Sequence, residues 1–259
     1  MNLIRKIIYV IIIIFIIKKF FKKLEYFDGY INSVLDIDKI YIINLEKDKD
    51  RWDYISNQCK KINLNINRFD AIYGKNLPED HPDIKKYIMD NNLRDKRLNY
   101  GIPLNPGQIG CALSHIKIWE EAYEKGYENI LIFEDDAIIP DDFNEKINPI
   151  LKSLPENWDY LSLNCAYCQG QDFNENLYKV LFNLCTVSYM LSKNGIKKLL
   201  DTINKFKIDE AIDDYLCSKF FLNSNSYLAK DHFIIMNTKD FESNIGVGTV
   251  GENHQIIIK

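Results

Sequence analysis

Three consecutive carboxylates, Glu134, Asp135 and Asp136, follow directly on the apolar run Ile130–Phe133. A short apolar run that is rich in β-branched residues and bounded by polar ones predicts a strand buried on both faces. Open α/β sheets bind their ligands at the carboxyl ends of such strands, and paired carboxylates there suit Mg²⁺ or Mn²⁺ carrying a phosphate group. Taken alone, the triplet fits an acidic turn into the Pro140–Asp142 loop equally well.

The elements before the triplet predict an α/β domain. Residues 39–45 form an apolar strand pattern, residues 47–62 an amphipathic helix pattern, and residues 66–72 a second strand pattern. Strand, helix and strand within about 35 residues indicate a βαβ unit and a parallel sheet. Residues 75–101 are interpreted as an insertion with a short helix and mobile loops near the site.

A helix that leads into the triplet strand has a clear start and stop. Asn105 is suited to cap it, Pro106 fits its first position, and Gln108 can bond back to the cap. The helix is expected to end near Lys125, before Gly126. Further helices are predicted over residues 143–154, 194–206 and 208–221, strands over 159–164 and within 177–191 and 227–236, and irregular structure over 237–259.

The first 23 residues differ in character from the rest of the chain. Their apolar run, residues 7–17, is flanked by basic pairs and followed by no small-residue cleavage site, which favours an uncleaved signal anchor. A helix lying on the membrane surface is the alternative. We therefore expect a single-pass anchor over residues 1–23, a stem over 24–38 and a membrane-associated protein, with the side of the membrane undetermined because basic residues flank both ends.

Charge and cysteine content exclude some functions. The net charge is −4, and since residues 1–23 contribute +6, the remaining chain carries −10. An acidic body argues against nucleic acid as the main partner.

Cys165 and Cys168 form a lone C-x-x-C, for which two buried or loop thiols are favoured over a zinc site or a redox pair. The glycines of residues 246–251 match G-x-G-x-x-G, but too few residues follow them for a dinucleotide-binding unit.

Several segments together resemble glycosyltransferase family 25, which includes lipopolysaccharide and collagen galactosyltransferases. The resemblance spans about residues 39–221. It is carried by Ile40-Tyr-Ile-Ile-Asn-Leu45 with Arg51, Phe69-Asp-Ala71 with Gly74, Pro106-Gly-Gln-Ile-Gly-Cys-Ala-Leu-Ser-His115 with Trp119, Leu131-Ile-Phe-Glu-Asp-Asp136, Thr186-Val-Ser-Tyr-Met-Leu-Ser192 with Gly195, and Ile212-Asp-Asp-Tyr-Leu216.

The resemblance implies a glycosyltransferase A-type domain over residues 39–259, with a Rossmann-like, mostly parallel central sheet and helices on both faces. It also implies a UDP-sugar donor and Mn²⁺ or Mg²⁺ held by the triplet. Asp136 is expected to bind the metal directly, and Glu134 to act through water or on the ribose. Asp135 points to the opposite side in a straight strand, but could take either role if the backbone turns.

Other donor-binding candidates follow from the same resemblance. Asn44 and Arg51 come after the first strand, where such folds receive the nucleotide, although the alternative for Arg51 is a solvent-facing residue. Gly107 and Gly110 would allow close approach of a ligand or a neighbouring strand at a helix N-terminus. His115 is a candidate for holding the nucleotide or the acidic loop, and a hydrogen-bonded core histidine is its alternative.

The proton acceptor is sought among the later carboxylates. An inverting transfer needs a base for the acceptor hydroxyl, and the family pattern falls on Asp213, with Asp214 next to it. A solvated acidic helix face would explain both residues equally well. His232 is assigned to the metal as a further ligand, with His254 as the other available histidine.

The resulting expectation is a metal-dependent, inverting hexosyltransferase that uses UDP-galactose or a related donor. Its acceptor would be a glycan, a glycolipid or a hydroxylated protein. The alternative is a catalytically silent glycan-binding or scaffold protein that keeps the fold. A Mg²⁺-dependent phosphoryl-transfer enzyme fits less well, because such enzymes place paired aspartates after their first strand, where this chain has Asn44-Leu45.

Overall fold

The computed structural model describes residues 37–90, 104–245 and 255–258. The strands are β1 (Lys39–Asn44), β2 (Asn67–Asp70), β3 (Asn129–Glu134), β4 (Ala137–Ile138), β5 (Tyr160–Ser162), β6 (Tyr167–Asp172), β7 (Leu177–Asn183), β8 (Ser188–Ser192), β9 (Ser226–Ala229), β10 (Ile235–Met236) and β11 (Gln255–Ile258). The α-helices are α1 (Lys49–Lys61), α2 (Pro82–Tyr87), α3 (Pro106–Lys125), α4 (Phe143–Lys152), α5 (Lys193–Lys205) and α6 (Ile212–Tyr215).

Nine strands form one large sheet in the order β11-β6-β7-β9-β5-β8-β3-β1-β2. Seven of these strands run in one direction, and β7 and β8 run in the opposite direction. The fold is therefore mixed α/β with a mostly parallel central sheet, as predicted. The βαβ unit is confirmed, because β1 and β2 pair in parallel and α1 connects them. The carboxyl ends of β1, β2 and β3 meet at one edge.

Alternate side chains of the central strands pack into two cores, one on each face of the sheet. Tyr41 and Ile132 lie in the core that is covered by α3 and α5. Ile42 and Phe133 lie in the core that is covered by α1 and α4. All residues of the run Ile130–Phe133 are completely buried, so helices cover both faces of this strand and only its carboxyl end reaches the cavity described below.

Helix α3 begins and ends as its sequence predicts. The Asn105 side chain accepts a hydrogen bond from the Gln108 amide, and the Gln108 side chain accepts one from the Asn105 amide, which completes the capping box. Gly126 ends the helix in the left-handed conformation, at φ 71°. Its 20 residues carry one buried face from Gly110 to Ala122, which fixes the helix against the sheet.

The structure differs from the sequence prediction in several places, which include the unpredicted strands β4 and β6. The helix expected over residues 208–221 begins only at Ile212 and passes into a π-helical stretch, Leu216–Phe220, and a short 3₁₀ turn. The tail expected to be irregular contains β11, which pairs with β6. Cys165 and Cys168, predicted to be free thiols, form a disulfide, for which their Cα separation of 5.6 Å is suitable.

The expected anchor over residues 1–23 and most of the stem lie outside the described residues, as does the G-x-G-x-x-G segment. In the part of the chain that the structure describes, no helix combines the length and apolar character needed to cross a membrane.

Candidate active site

A cavity of about 370 Å³ opens at the carboxyl edge of β1, β2 and β3. It is bordered by these strand ends, the N-terminal part of α3, the segment that leads into β8, the start of α6 and the segment 236–245. The polar and charged residues among its lining are Arg51, Gln108, Ser114, His115, Glu134, Asp135, Asp136, Thr186, Asp213, Asp214, Thr238, Ser243 and Asn244.

All three carboxylates of the triplet face this cavity. Glu134 is the last residue of β3, and Asp135 and Asp136 form a turn between β3 and β4. The turn cancels the alternation expected of a straight strand, so Asp135 joins the other two instead of pointing away. Asp135 and Asp136 are both buried, at 6% and 9% exposure.

Asp135 is held by the first strand and the first helix. Its Oδ2 accepts a hydrogen bond of 2.7 Å from Asn44 Nδ2, and its Oδ1 accepts one of 2.6 Å from Arg51 Nε. Burial raises the pKa of Asp135, and Arg51 opposes that rise. These contacts make Asp135 the carboxylate that fixes the shape of the acidic turn.

Asp136 keeps one oxygen available. Its Oδ2 accepts a hydrogen bond of 3.0 Å from Arg51 Nη2, whereas its buried Oδ1 has no hydrogen-bond partner within the described residues. Burial and then the charge of Glu134 raise the pKa of Asp136 to about 7, although Arg51 acts in the opposite direction. A buried carboxylate oxygen that lacks a donor, on a residue that lines a cavity, fits a divalent cation, which prefers oxygen ligands.

Glu134 is fixed from the opposite side. Its Oε1 accepts a hydrogen bond of 2.6 Å from Thr186 Oγ1 and lies 3.4 Å from His115 Nε2. Burial alone would raise the pKa of Glu134, but His115, Thr186 and Arg51 together lower it. Glu134 is therefore an ionised carboxylate beside Asp136. Cys111 lies in the same group, with its sulfur within 4.8 Å of the ligating atoms of His115 and Glu134.

The residues predicted to bind the donor divide into two groups. Arg51, Gly107 and His115 line the cavity. Asn44 and Gly110 do not belong to its lining. Asn44 is 1% exposed. Its Nδ2 donates hydrogen bonds to Asp135 and to the Asp48 carbonyl, and its Oδ1 accepts one from Arg68. Its contacts therefore assign it to positioning the triplet.

Gly110 serves packing between α3 and the turn after β2. A Cβ atom there would lie 2.4 Å from the Ile72 carbonyl oxygen and 2.6 Å from the Gly74 nitrogen. The sequence predicted close approach of a ligand or a neighbouring strand, and the neighbour is instead the turn that follows β2. At Gly107 the close neighbour is Ile245, whose Cα and carbonyl oxygen would lie 2.8 Å from a Cβ.

Asp213 and Asp214 both line the cavity, at the start of α6. The oxygens of Asp213 accept hydrogen bonds from the amides of Cys185 and Asp214, each 3.1 Å long. The Asp214 side chain is exposed at the rim. Even so, partial burial and then the charges of Asp213 and Glu210 raise its pKa to about 6. Asp213 and Asp214 could therefore both act as the proton acceptor, and Asp214 is the more exposed of the two.

The assignment of His232 to the metal needs correction. His232 does not line the cavity, and its ligating atom lies within 4.8 Å of the sulfurs of Cys165 and Cys168. The loop after β9 carries it to that cluster instead of to the acidic turn. His254 lies outside the described residues.

Two contributors to the site were not among the predicted site residues. Thr186 precedes β8, whose antiparallel register with β3 sets Ser188 opposite Phe133 and so brings Thr186 to Glu134. The segment 237–245 borders the cavity, where the Phe241 ring lies 5.0 Å from the Arg51 guanidinium and Asn244 donates to Asp48. Neither contact follows from local spacing, since each joins residues far apart in the chain.

Comparison with known proteins identifies relatives over most of this domain. Procollagen galactosyltransferase 1-A of Xenopus laevis is 27% identical over 188 residues, which cover 68% of this chain and 30% of the relative. Inactive glycosyltransferase 25 family member 3 of Mus musculus is 26% identical over 177 residues, 65% of this chain and 29% of the relative. The chain thus spans less than a third of the length of the curated relatives it matches.

A solved structure described as a glycosyltransferase involved in the glycosylation of the major capsid of PBCV-1 aligns with 73% of this chain and 81% of its own. The sequence identity is 11% and the TM-score 0.40. The model of glycosyltransferase family 25 (LPS biosynthesis protein) matches residues 37–216, which include the acidic triplet, the capped helix α3 and the start of α6. The chain belongs to glycosyltransferase family 25.

Proposed function

We propose that this protein is a metal-dependent hexosyltransferase. It transfers galactose, or a related hexose, from a UDP-sugar to a hydroxyl group of a glycan, a glycolipid or a hydroxylated protein, with inversion at the transferred carbon. The observation that carries the proposal is the acidic triplet, gathered at one cavity with a buried Asp136 Oδ1 that has no hydrogen bond among the described residues. Galactosyltransferases among the relatives support galactose as the sugar.

The residues present fit a divalent cation. Asp136 would hold it directly, with Glu134 beside it, because the buried Asp136 and the partly buried Glu134 lie on one wall of the cavity. When bound, Mn²⁺ or Mg²⁺ would supply positive charge to the diphosphate that leaves with the nucleotide.

Arg51 and helix α3 prepare the cavity for an anionic ligand. Arg51 forms ion pairs with Asp135 and Asp136, at distances of 2.5 and 3.0 Å, and so neutralises part of their charge. Gly107 and Gln108 in the first turn of α3 line the cavity, and the positive end of the helix dipole favours phosphate groups there. The donor's diphosphate would therefore lie between the α3 N-terminus and the triplet.

Asp214 is the proposed general base. It is exposed to an incoming acceptor at the rim, and its raised pKa of about 6 keeps it ionised yet basic at neutral pH. Asp213 holds the Cys185 amide and so orients this part of the rim.

The decisive experiment is a donor screen read out as UDP release. The full chain is incubated with UDP-galactose, UDP-glucose and other UDP-hexoses, with Mn²⁺ or with a chelator. We expect release with at least one donor, lost with the chelator and reduced at least about a hundredfold in Asp136→Asn, because the variant would hold less well the cation that offsets the charge developing on the leaving diphosphate. Asp201→Asn is the matched control, since Asp201 lies on the surface in an i,i+4 pair with Lys197. No release with any donor, or equal release by Asp136→Asn, would refute the proposal.

The second candidate is a catalytically silent glycan-binding or scaffold protein. It is retained as a candidate because one relative, from Mus musculus, is named an inactive family member. Titration calorimetry separates the two, because the enzyme must bind UDP in a Mn²⁺-dependent manner, whereas a scaffold need not.

We further propose that residues 1–23 attach the protein to a membrane. The support is the apolar run of residues 7–17 between basic pairs. Deletion of residues 1–23 is expected to move the protein from the membrane to the soluble fraction after cell lysis. An unchanged distribution would contradict the proposal.

A further inference from the structure

A buried row of side chains leads from the interior of α3 to the floor of the cavity. Trp119 Nε1 donates a hydrogen bond of 3.0 Å to the Tyr189 hydroxyl, which lies 2.7 Å from His115 Nδ1. The other ring nitrogen of His115, Nε2, lies 3.4 Å from Glu134 Oε1. His115 is 1% exposed, and Trp119 and Tyr189 are completely buried.

The geometry of this row follows from two elements. Cys111, His115 and Trp119 are spaced four residues apart and so occupy one face of α3. Tyr189 points to the same core from β8, opposite Ile132 of the strand that ends in the triplet. The row therefore joins the helix and the two strands that build the site.

The number of protons in the row sets the direction of its hydrogen bonds. Trp119 Nε1 can only donate, so the Tyr189 oxygen accepts there. Burial raises the pKa of Tyr189 well above its ordinary value, so its hydroxyl keeps one proton to give. His115 Nδ1 is the other hydrogen-bond contact that the structure shows for this hydroxyl.

A proton on Nδ1 would reverse the contact and leave the Tyr189 proton without an acceptor in the described part of the chain. Buried hydroxyl groups rarely stay unpaired, so Nδ1 accepts from Tyr189. The remaining ring proton is then on Nε2. Glu134 Oε1 lies 3.4 Å from Nε2, and no other partner reaches Nε2 among the described residues.

We propose that Trp119 and Tyr189 are positioning residues that fix His115 in the tautomer with its proton on Nε2. His115 then presents a buried N–H donor to Glu134 at the cavity floor. The consequence for transfer rests on the proposed function: Thr186 and His115 hold Oε1 of Glu134, which leaves its second oxygen available to the donor site. A histidine of the opposite tautomer would face the Glu134 carboxylate with a lone pair and repel it.

The tautomer can be measured directly by nitrogen NMR of the full chain labelled with ¹⁵N-histidine, without donor or metal. The chain has four histidines, and Gln substitutions of the other three assign the His115 signals: His81, His232 and His254. We expect a protonated Nε2 and an unprotonated Nδ1 for His115. A protonated Nδ1 with a bare Nε2 in the unmodified protein would overturn the inference.

Tyr189→Phe removes the donor to Nδ1, so a mixture of the two tautomers should replace the single one. Trp119→Phe leaves the Tyr189 hydroxyl in place and should give a smaller change. Tyr160→Phe is the matched control, because Tyr160 stacks on Tyr189 at 5.1 Å and is equally buried but does not touch His115. An unaltered His115 spectrum in folded Tyr189→Phe would also overturn the inference.

A second readout links the tautomer to the site. Tyr189→Phe is expected to weaken the apparent affinity for Mn²⁺ by less than the roughly 10–100-fold that is typical for a direct partner of a metal ligand, while Tyr160→Phe keeps it. The NMR result does not depend on turnover. Absence of transferase activity would therefore refute the proposed function alone, and a wrong tautomer in an active enzyme would refute this inference alone.

Discussion

Replacing Arg51 by Met tests the charge balance of the site most directly. Arg51 Nη2 lies 2.5 Å from Asp135 Oδ1 and 3.0 Å from Asp136 Oδ2, and the three side chains are only 8–12% exposed. Because these side chains are so little exposed, the small contribution to stability that is typical of an exposed ion pair does not apply here. Removing one partner of a buried pair costs about 3–5 kcal/mol, because the other charge stays buried without compensation.

The carboxylates limit this cost by taking up protons. The pKa of Asp136 is already about 7 with Arg51 present, so without Arg51 it must rise further. Asp136 is then protonated at neutral pH in the variant, and the lower end of the range, about 3 kcal/mol, is the expected loss at pH 8. Between pH 7 and the higher pKa of the variant, the difference from the unmodified protein should grow by about 1.4 kcal/mol per pH unit.

The assay is thermal unfolding of the metal-free protein at pH 6, 7 and 8. For a domain of this size about 3 kcal/mol lowers Tm by roughly 6–12 °C. Lys197→Met, which removes the exposed pair with Asp201, is the control and should change stability by less than about 1 kcal/mol. A loss in Arg51→Met as small as in this control, or one that shrinks as the pH rises, would show that Arg51 does not compensate the triplet.

Four further outcomes are expected. Asp214→Asn should lower sugar transfer by about 10²–10⁴-fold and leave UDP binding unchanged, which stopped-assay kinetics and calorimetry would show. The unmodified enzyme should lose activity as the pH falls through about 6, because the base must be ionised and the pKa of Asp214 is about 6. Gly110→Ala should lower the free energy of unfolding by about 3 kcal/mol, because its Cβ would lie 2.4 Å from the Ile72 carbonyl oxygen. Gly126→Ala, where a Cβ has open space but φ is positive, should lower it by only about 1 kcal/mol. Urea unfolding measures both changes. Mn²⁺ at a hundred times its Kd should add about 2.7 kcal/mol of stability, and Asp136→Asn should abolish that gain in a thermal shift measurement.

The parts of the fold that local chemistry determines were predictable from the sequence. The run Ile130–Phe133 specifies a strand through its apolar content, and Asn105 and Gln108 specify the start of α3 through their side-chain bonds. Each of these signals acts within about one turn or one strand. The meeting of β1, β2 and β3 at one edge then followed from the parallel βαβ connection.

The roles of residues that act across the chain could not be derived in the same way. Arg51 reaches Asp135 over 84 positions and Asn44 reaches it over 91, so their task of holding the triplet emerges only when α1 packs on the sheet. The late start of α6 at Ile212 likewise depends on its surroundings. Ala211 has an extended backbone there, so Asp209 and Glu210 do not stack on Asp213 and Asp214 as a continuous helix would require.

The charges around the cavity give an independent argument for the role of a cation in donor binding. Five carboxylates line it, Glu134, Asp135, Asp136, Asp213 and Asp214, and Arg51 is the one lysine or arginine among the described lining residues. Arg51 is already used by two of the carboxylates, so it cannot also neutralise an arriving diphosphate. Like charges a few ångströms apart repel strongly at low effective dielectric constant, and the α3 N-terminus offers only about half a charge in return. A divalent cation on Asp136 would offset that repulsion, because it attracts both the carboxylates and the diphosphate. Nucleotide binding should therefore require the metal at neutral pH and should weaken with chelator more than with moderate salt.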